Sequence, residues 1–154
     1  MVRSLERLDV FLNTADWKGR ENELVSLFAH HCLPQEVHAG GPLRSLTQVG
    51  IEVAVLQVTG SSKRYVRKDL VIWPEPLMTA WSERPPSVIV EWKRNRPVEC
   101  RKDVEWLLKF TKRYPETLGY SVCGLLNSER GVRFWVVSNG EWHQGSFPSQ
   151  PARP

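Results

Sequence analysis

Two carboxylates and a lysine stand in apolar surroundings, where charged side chains are unusual. Asp69 is followed directly by four apolar residues, and Glu91 and Lys93 close an apolar run that begins at Val88. Because an unpaired buried carboxylate costs several kcal/mol or is forced to take up a proton, these side chains need partners. Alternation along a strand places Glu91 and Lys93 on one face and Trp92 on the other. If the two strands are neighbours, Asp69 can turn to the face of Glu91.

Such a group suits one kind of chemistry well. Two carboxylates hold Mg²⁺, which keeps several of its waters, and a nearby lysine orients or deprotonates one water for attack on a phosphodiester. The alternative is structural: Glu91 and Lys93 form an ion pair at the end of a strand, and Asp69 begins its strand at the solvent. The residues alone leave both interpretations open.

Hydrophobic periodicity predicts the elements that would position these residues. Ser4 is a candidate N-cap, Pro34 is expected to stop the second helix, and the strand that starts at Ile51 shows alternation through Ile51, Val53 and Val55. The segment 34–50 reads as a loop with at most one short strand around Val37. The predicted helices are 4–12, 20–32 and 101–114, and the predicted strands are 51–59, 64–73, 87–93, 119–126 and 132–138.

With these elements in place, the spacing of the motif resembles that of a known superfamily. Lys68-Asp69 on one strand, followed twenty-two positions later by Glu91-Trp92-Lys93 on the next strand and then by a helix, is similar to the PD-(D/E)xK pattern of restriction endonucleases, resolvases and repair nucleases. The resemblance spans about residues 20–138. It implies an α/β fold with an αβββαβ restriction-endonuclease-like core, in which helices flank a mixed central sheet. Lys68 departs from the pattern, because many members have proline there.

The resemblance also implies an activity, a cofactor and roles for individual residues. The expected reaction is metal-dependent hydrolysis of phosphodiester bonds in DNA, with Mg²⁺ as the cofactor and Mn²⁺ as a substitute. Asp69 and Glu91 would bind the metal, and the backbone carbonyl of Trp92 would complete its shell. Lys93 would activate the attacking water. RNA remains open as a substrate.

Many members of the superfamily carry a further glutamate on the helix before the sheet. Glu21 and Glu23 are both candidates for this metal ligand. Glu21 is preferred because it shares a helical face with Leu24 and Phe28, which must point towards the sheet.

The basic residues are unevenly distributed along a chain whose formal net charge is +4. Arg94 and Arg96, just after the motif, and Lys63 and Arg64, in the turn before the second strand, are candidate phosphate contacts because guanidinium and ammonium groups bind phosphate oxygens. A solvated surface is the plainer interpretation of each cluster. Lysine and arginine concentrate in the segments 63–68, 93–102 and 109–113.

Length and composition are typical of one globular domain in a chain of 154 residues. We expect the domain to span 1–143, and 144–154, rich in Pro, Ser and Gln, to form a disordered tail. No apolar run is long enough to cross a bilayer and the N-terminal segment is charged, which predicts a cytoplasmic protein that does not contact membranes. Cys32, Cys100 and Cys123 are expected to be reduced packing residues.

Two rival interpretations remain beside the nuclease. The same fold could serve as a catalytically inactive module that binds nucleic acid or another protein. An active enzyme could also work as a homodimer, because cutting two strands needs two centres and most oligomers have two-fold symmetry. An exposed apolar patch near Trp81 or Trp142 would favour such a dimer. Most of the other tryptophans are expected in the core.

Overall fold

The computed structural model describes residues 1–58, 64–82, 84–127, 130–145 and 147. The helix α2 continues into a π-helical turn at Phe28–Cys32 and a 3-10 turn at Leu33–Glu36, and a second 3-10 turn at Leu46–Gln48 leads into the sheet. The main elements are α1 (Val2–Thr14), α2 (Glu21–Leu27), β1 (Val49–Leu56), β2 (Tyr65–Ile72), β3 (Val88–Arg94), α3 (Pro97–Arg113), β4 (Leu118–Leu125), β5 (Gly131–Ser138) and β6 (Glu141–Gln144).

The strands form one six-stranded mixed sheet in the order β1-β2-β3-β4-β5-β6. The pair β3 and β4 is parallel, and the other four neighbouring pairs are antiparallel. A parallel pair needs a crossover connection, and α3 supplies it between β3 and β4. The chain therefore has the α/β class expected from its sequence, and the elements α2, β1, β2, β3, α3 and β4 follow one another in the predicted order.

Helices cover both faces of the sheet. On one face, α1, α2 and the π-helical turn after α2 bury Leu8, Leu24 and Phe28 against Leu70 and Trp92 of the sheet. On the other face, α3 packs with strand residues into a second core cluster, whose buried members include Val71, Ile89, Cys100, Leu107, Phe110 and Cys123. None of the helices within the described ranges is long and apolar enough to cross a membrane.

The strands β1 and β2 change faces in the middle. Ile51 packs on the cluster beneath α1 and α2, whereas Val53 and Val55 pack on the cluster beneath α3. The predicted alternation through these three residues is therefore wrong. The cause is Glu52, whose backbone φ of 52° lies in the left-handed region and reverses the side-chain order. Glu52 and Asp69 are both skipped in the register of β1 with β2, which pairs Ile51 with Leu70 and then Val53 with Lys68.

The predicted helix cap near the N-terminus is wrong, and the first long loop lacks the one short strand that its sequence left open. Ser4 does not cap α1, because the helix begins at Val2 and Ser4 is buried within it. No strand forms around Val37. The chain there leaves the 3-10 turn that ends at Glu36 and enters irregular backbone.

The C-terminal part of the domain extends further than predicted. Residues 141–144 form β6, which pairs with β5, so Gln144 belongs to the sheet. All four residues of β6 are exposed, and a strand without a buried face shows no apolar alternation in the sequence. Most of the predicted tail, 148–154, lies outside the described residues. Cys32, Cys100 and Cys123 are buried and free, as expected.

Candidate active site

The site lies where β2 and β3 separate. The two strands pair from Ile72 with Val88 to Leu70 with Val90, and the ladder ends at Leu70 and Val90. Just beyond the last pair, Oδ2 of Asp69 accepts a hydrogen bond from the backbone N–H of Trp92 at 2.7 Å. The Asp69 side chain thus takes the place of the next ladder bond, which fixes its carboxylate between the two diverging strands.

Glu91 lies on the α3 face of the sheet and is only 6% exposed. Its Oε1 forms an ion pair and hydrogen bond with Nζ of Lys68, which is equally buried. The same ammonium group sits 3.5 Å from the ring centroid of Trp106 on α3, a cation–π contact. Burial raises the pKa of Glu91 to about 7; the charge of Lys68 opposes this effect and that of Asp69 adds to it.

Lys93 lies at the centre of a group of carboxylates. Its Nζ donates a hydrogen bond to the Trp92 carbonyl at 2.7 Å and lies 3.4 Å from Oδ2 of Asp103 and 3.8 Å from Oε1 of Glu21. Burial alone would lower the pKa of Lys93, but Asp103 and the other nearby carboxylates outweigh it and raise this pKa. The side chain is therefore an ammonium ion at neutral pH.

The two candidate glutamates of α2 occupy different places. Glu21 reaches the sheet, where its Oε2 accepts a hydrogen bond from the backbone N–H of Arg94 at 3.0 Å. Glu23 instead accepts from the backbone N–H of Arg20 and caps the start of the helix. Of the two, Glu21 is the residue that the fold brings to Lys93.

Asp103 and Lys68 belong to the same cluster and were not predicted as site residues. Oδ2 of Asp103 is buried and has no hydrogen-bond partner of good geometry among the described atoms. Burial raises the pKa of Asp103, and Lys93 opposes that effect. A sequence signal for Asp103 existed, because it follows Cys100 by three residues and precedes Leu107 by four on one buried helical face.

Part of the cluster opens to solvent on the α2 side. A cleft of about 230 Å³ is lined by Glu21 and Asp69 together with Asn22, Val25, Ser26, Ile51 and Glu52. Glu91 is absent from this lining because it points towards α3. The fold therefore places Asp69 and Glu21 at an accessible surface, while Glu91 and its partner Lys68 lie in the interior.

The donor chemistry of the cluster matches a hard divalent cation. Its candidate ligands are carboxylates and the Trp92 carbonyl, which are the oxygen donors that Mg²⁺ prefers. The cluster contains four carboxylates and two ammonium groups, so its formal charge is −2 when all six are ionised. They are Glu21, Asp69, Glu91 and Asp103, with Lys68 and Lys93. Lys68 and Lys93, however, occupy the Glu91 oxygen and the Trp92 carbonyl. Within the described ranges, no three His, Cys, Asp or Glu side chains converge closely enough to hold a metal ion.

The predicted phosphate contacts lie at the same end of the sheet. Arg94 is the last residue of β3 and Arg96 lies two residues after it, and Arg64 precedes the start of the antiparallel strand β2. Nε of Arg94 is buried without a hydrogen-bond partner in the described part of the chain. Arg96 pairs with Glu99 at 3.1 Å on the surface. Lys63 lies outside the described residues.

No protein-family model, curated protein or solved structure matches this chain.

Proposed function

We propose that this protein hydrolyses phosphodiester bonds of DNA with the help of Mg²⁺, as a nuclease of the PD-(D/E)xK type. The observation that carries the proposal is the meeting of Asp69, Glu21 and Lys93 where β2 and β3 part, beside an open cleft. Glu91 follows the last paired residue of β3, Val90, and its side chain points towards α3. Carboxylates from β2 and α2 and a lysine from β3 thus lie beside the end of the β2–β3 ladder, while Glu91 lies on the α3 side.

Each residue has a distinct role in this proposal. Asp69, Glu91 and Glu21, with the Trp92 carbonyl, would hold the metal ion, which requires Glu91 to leave Lys68 and Lys93 to leave that carbonyl. The ion would supply Lewis acidity and a more acidic water. Because its pKa is raised, Lys93 acts as a hydrogen-bond donor that orients the attacking water or the scissile phosphate, not as the base that removes a proton. Asp103 supports the position and charge of Lys93.

A cleavage assay tests the proposal. Wild type, Glu91→Ala and Lys93→Ala are incubated with plasmid, single-stranded and branched DNA in the presence of Mg²⁺ or Mn²⁺. We expect each substitution to reduce cleavage by at least about 100-fold, as the loss of a residue that positions a reacting group typically does. Binding measured in EDTA should persist. Lys109→Ala, an exposed residue of α3, is the matched control and should cleave normally.

Two controls protect the interpretation of this assay. Asp69→Asn keeps the size of the side chain and should also lose cleavage, which separates lost chemistry from a misfolded Glu91→Ala variant. Thermal unfolding of each variant shows whether it is folded. Equal activity in all variants would indicate a contaminating nuclease and would remove the case for this site.

The second candidate function is a catalytically inactive module that binds nucleic acid or another protein on the same fold. Its supporting observation is that Lys68 already neutralises Glu91 and Lys93 already occupies the Trp92 carbonyl. Such a module would bind without cleaving in any divalent cation. The same assay separates the two functions, provided that cleavage and binding are measured on the same preparation.

A further inference from the structure

An aromatic pair lies beyond the active-site cluster, with the half-buried Tyr65 at the start of β2 and Trp81 in the loop after this strand. Trp81 is 82% exposed, the largest exposed fraction among the large apolar side chains in the described ranges. Its ring meets the ring of Tyr65 edge to face, with centroids 5.8 Å apart. The guanidinium group of Arg64 lies 5.4 Å from the same Tyr65 ring. An indole, a phenol and a cation therefore form one small surface.

Local hydrogen bonds hold Trp81 in this position. The backbone N–H of Ser82 donates to the Thr79 carbonyl at 2.9 Å, and the backbone N–H of Thr79 donates to the Ser82 hydroxyl at 3.0 Å. The backbone N–H of Trp81 donates to the Thr79 hydroxyl at 3.3 Å. Because this closed turn restrains the backbone, it fixes the point from which the exposed indole projects.

The position of the pair relates it to the proposed active centre. Tyr65 precedes Asp69 by four residues on β2, a separation of about 13 Å along a strand. The start of β2 projects from the same end of the sheet as Arg94 and Arg96. A nucleic-acid strand that crosses the Asp69 site in this direction would reach Trp81 within a few nucleotides.

We propose that Trp81 and Tyr65 form a stacking platform for an unpaired base, and that Arg64 contacts the adjoining phosphate. The inference rests on the proposed function for the identity of the ligand as a nucleic acid. Flat aromatic rings beside cations are the combination that binds single strands, because every base has a π face and every nucleotide a negative charge. A two-fold dimer through this patch would instead bring two copies of Arg64 together.

Binding measurements in EDTA test the platform without any cleavage. The probes are a fluorescent oligothymidylate about twelve nucleotides long, an abasic strand of equal length and a duplex of equal length. The variants are Trp81→Ala, Trp81→Phe and, as the matched control, Trp142→Ala, which removes a tryptophan that is 52% exposed on β6. Sedimentation velocity of each variant records its oligomeric state.

We expect Trp81→Ala to weaken binding of the oligothymidylate about tenfold, and Trp81→Phe to retain most of the affinity. Binding of the abasic strand and of the duplex should change less than twofold or so, because neither offers an unpaired base to the platform. Trp142→Ala should bind all three probes as wild type does. The oligomeric state should be the same in all variants.

Three outcomes would overturn the platform. The first is an unchanged affinity of Trp81→Ala for the oligothymidylate, and the second is an equal loss of affinity for the abasic strand. The third is an oligomer of the wild type that Trp81→Ala dissociates, because this result would assign the patch to a second copy of the chain. With wild-type binding intact, these results leave the proposed nuclease standing. Failure of wild type to bind any of the probes would overturn both proposals.

Discussion

The ion pair of Lys68 and Glu91 is buried on both sides. Each residue is 6% exposed, and the ammonium group also rests on the Trp106 ring. Taking two charges out of water costs several kcal/mol per ion, so such a pair contributes little net stability although each partner depends strongly on the other.

Removing one partner should therefore cost more than removing both. We expect Lys68→Met to lower the free energy of unfolding by about 3 kcal/mol at pH 8, because Glu91 is then left buried without a cation. The double variant Lys68→Met with Glu91→Leu should recover to within about 1 kcal/mol of wild type. Urea denaturation followed by circular dichroism measures each value.

The exposed pair of Arg84 and Glu75 is the control for that prediction. Its two side chains are 60% and 54% exposed, with N and O 2.6 Å apart. Arg84→Ala should change the free energy of unfolding by less than about 1 kcal/mol. If the double variant of the buried pair is as unstable as Lys68→Met alone, the loss of stability comes from lost packing on Trp106.

Glu91 also predicts a pH dependence of stability in the metal-free protein. Because its folded pKa is raised from 4.5 to about 7, the folded state holds this proton more tightly than the unfolded state. The contribution of Glu91 to the free energy of unfolding is fully present below about pH 4.5 and is lost as the pH rises through about 7. The loss should total roughly 3 kcal/mol. Urea denaturation between pH 4 and pH 8 or so, in EDTA, measures it.

The comparison with Glu91→Gln isolates this effect from those of other carboxyl groups. The wild type minus variant difference should fall with pH across that window, because glutamine does not titrate. Glu141→Gln, at an exposed position of β6, should reproduce the wild-type profile. A flat difference for Glu91→Gln would show that Lys68 keeps Glu91 ionised throughout.

Among the elements, β1 depends on one left-handed residue. Glu52 has a φ of 52°, a conformation that costs a residue with a Cβ atom energy and glycine almost none. Glu52→Gly should therefore be more stable than Glu52→Ala by about 1 kcal/mol. Comparing these two variants removes the contribution of the surface pair with Arg67. Thermal and urea unfolding provide the measurement.

The same two substitutions at Arg67 provide the control. Arg67 lies in β2 opposite Ala54, and it is not among the described residues with positive φ. There the order should reverse, with Arg67→Gly less stable than Arg67→Ala, because glycine weakens an ordinary strand. The same order at both positions would contradict the idea that Glu52 is strained and that its backbone sets the face change.

For the molecule as a whole, the end of the sheet that carries Arg64, Arg94 and Arg96 predicts salt-dependent DNA binding. Each phosphate contact should contribute about −0.9 to the slope of log affinity against log salt concentration. We expect a slope that corresponds to three or more contacts. Arg96→Ala should flatten the slope by about one unit, because it removes one phosphate contact. The variant should stay folded, because this exposed side chain packs in neither core cluster. Fluorescence anisotropy titrations at several salt concentrations measure the slope.

Arg113→Ala is the matched control, because it removes an exposed arginine at the opposite end of α3. Its slope should equal that of wild type. An interaction module for proteins predicts weak DNA binding and a slope near zero. Salt-independent or undetectable binding to every nucleic acid tested would leave the α/β fold in place and would contradict the proposed function.

Local patterns in the sequence determined the class of the fold. The strands around Leu70, Ile89 and Val122 and the helix around Leu107 are dense in apolar residues with periods of two or about 3.6, and these periods depend only on neighbours along the chain. The predicted order of elements follows from them. The motif itself, Asp69 with Glu91 and Lys93, was also visible, because charges within apolar strands are conspicuous in any sequence.

Tertiary structure alone decided how the residues of the motif meet. The separation of β2 from β3 at Asp69, the left-handed turn of Glu52 and the capture of Glu91 by Lys68 depend on contacts between elements distant in sequence. So does the approach of Asp103 to Lys93 across the crossover. Periodicity reports which face of an element is buried, but burial does not specify the partner that a charged group finds there. That choice is made by packing, which a linear pattern does not contain.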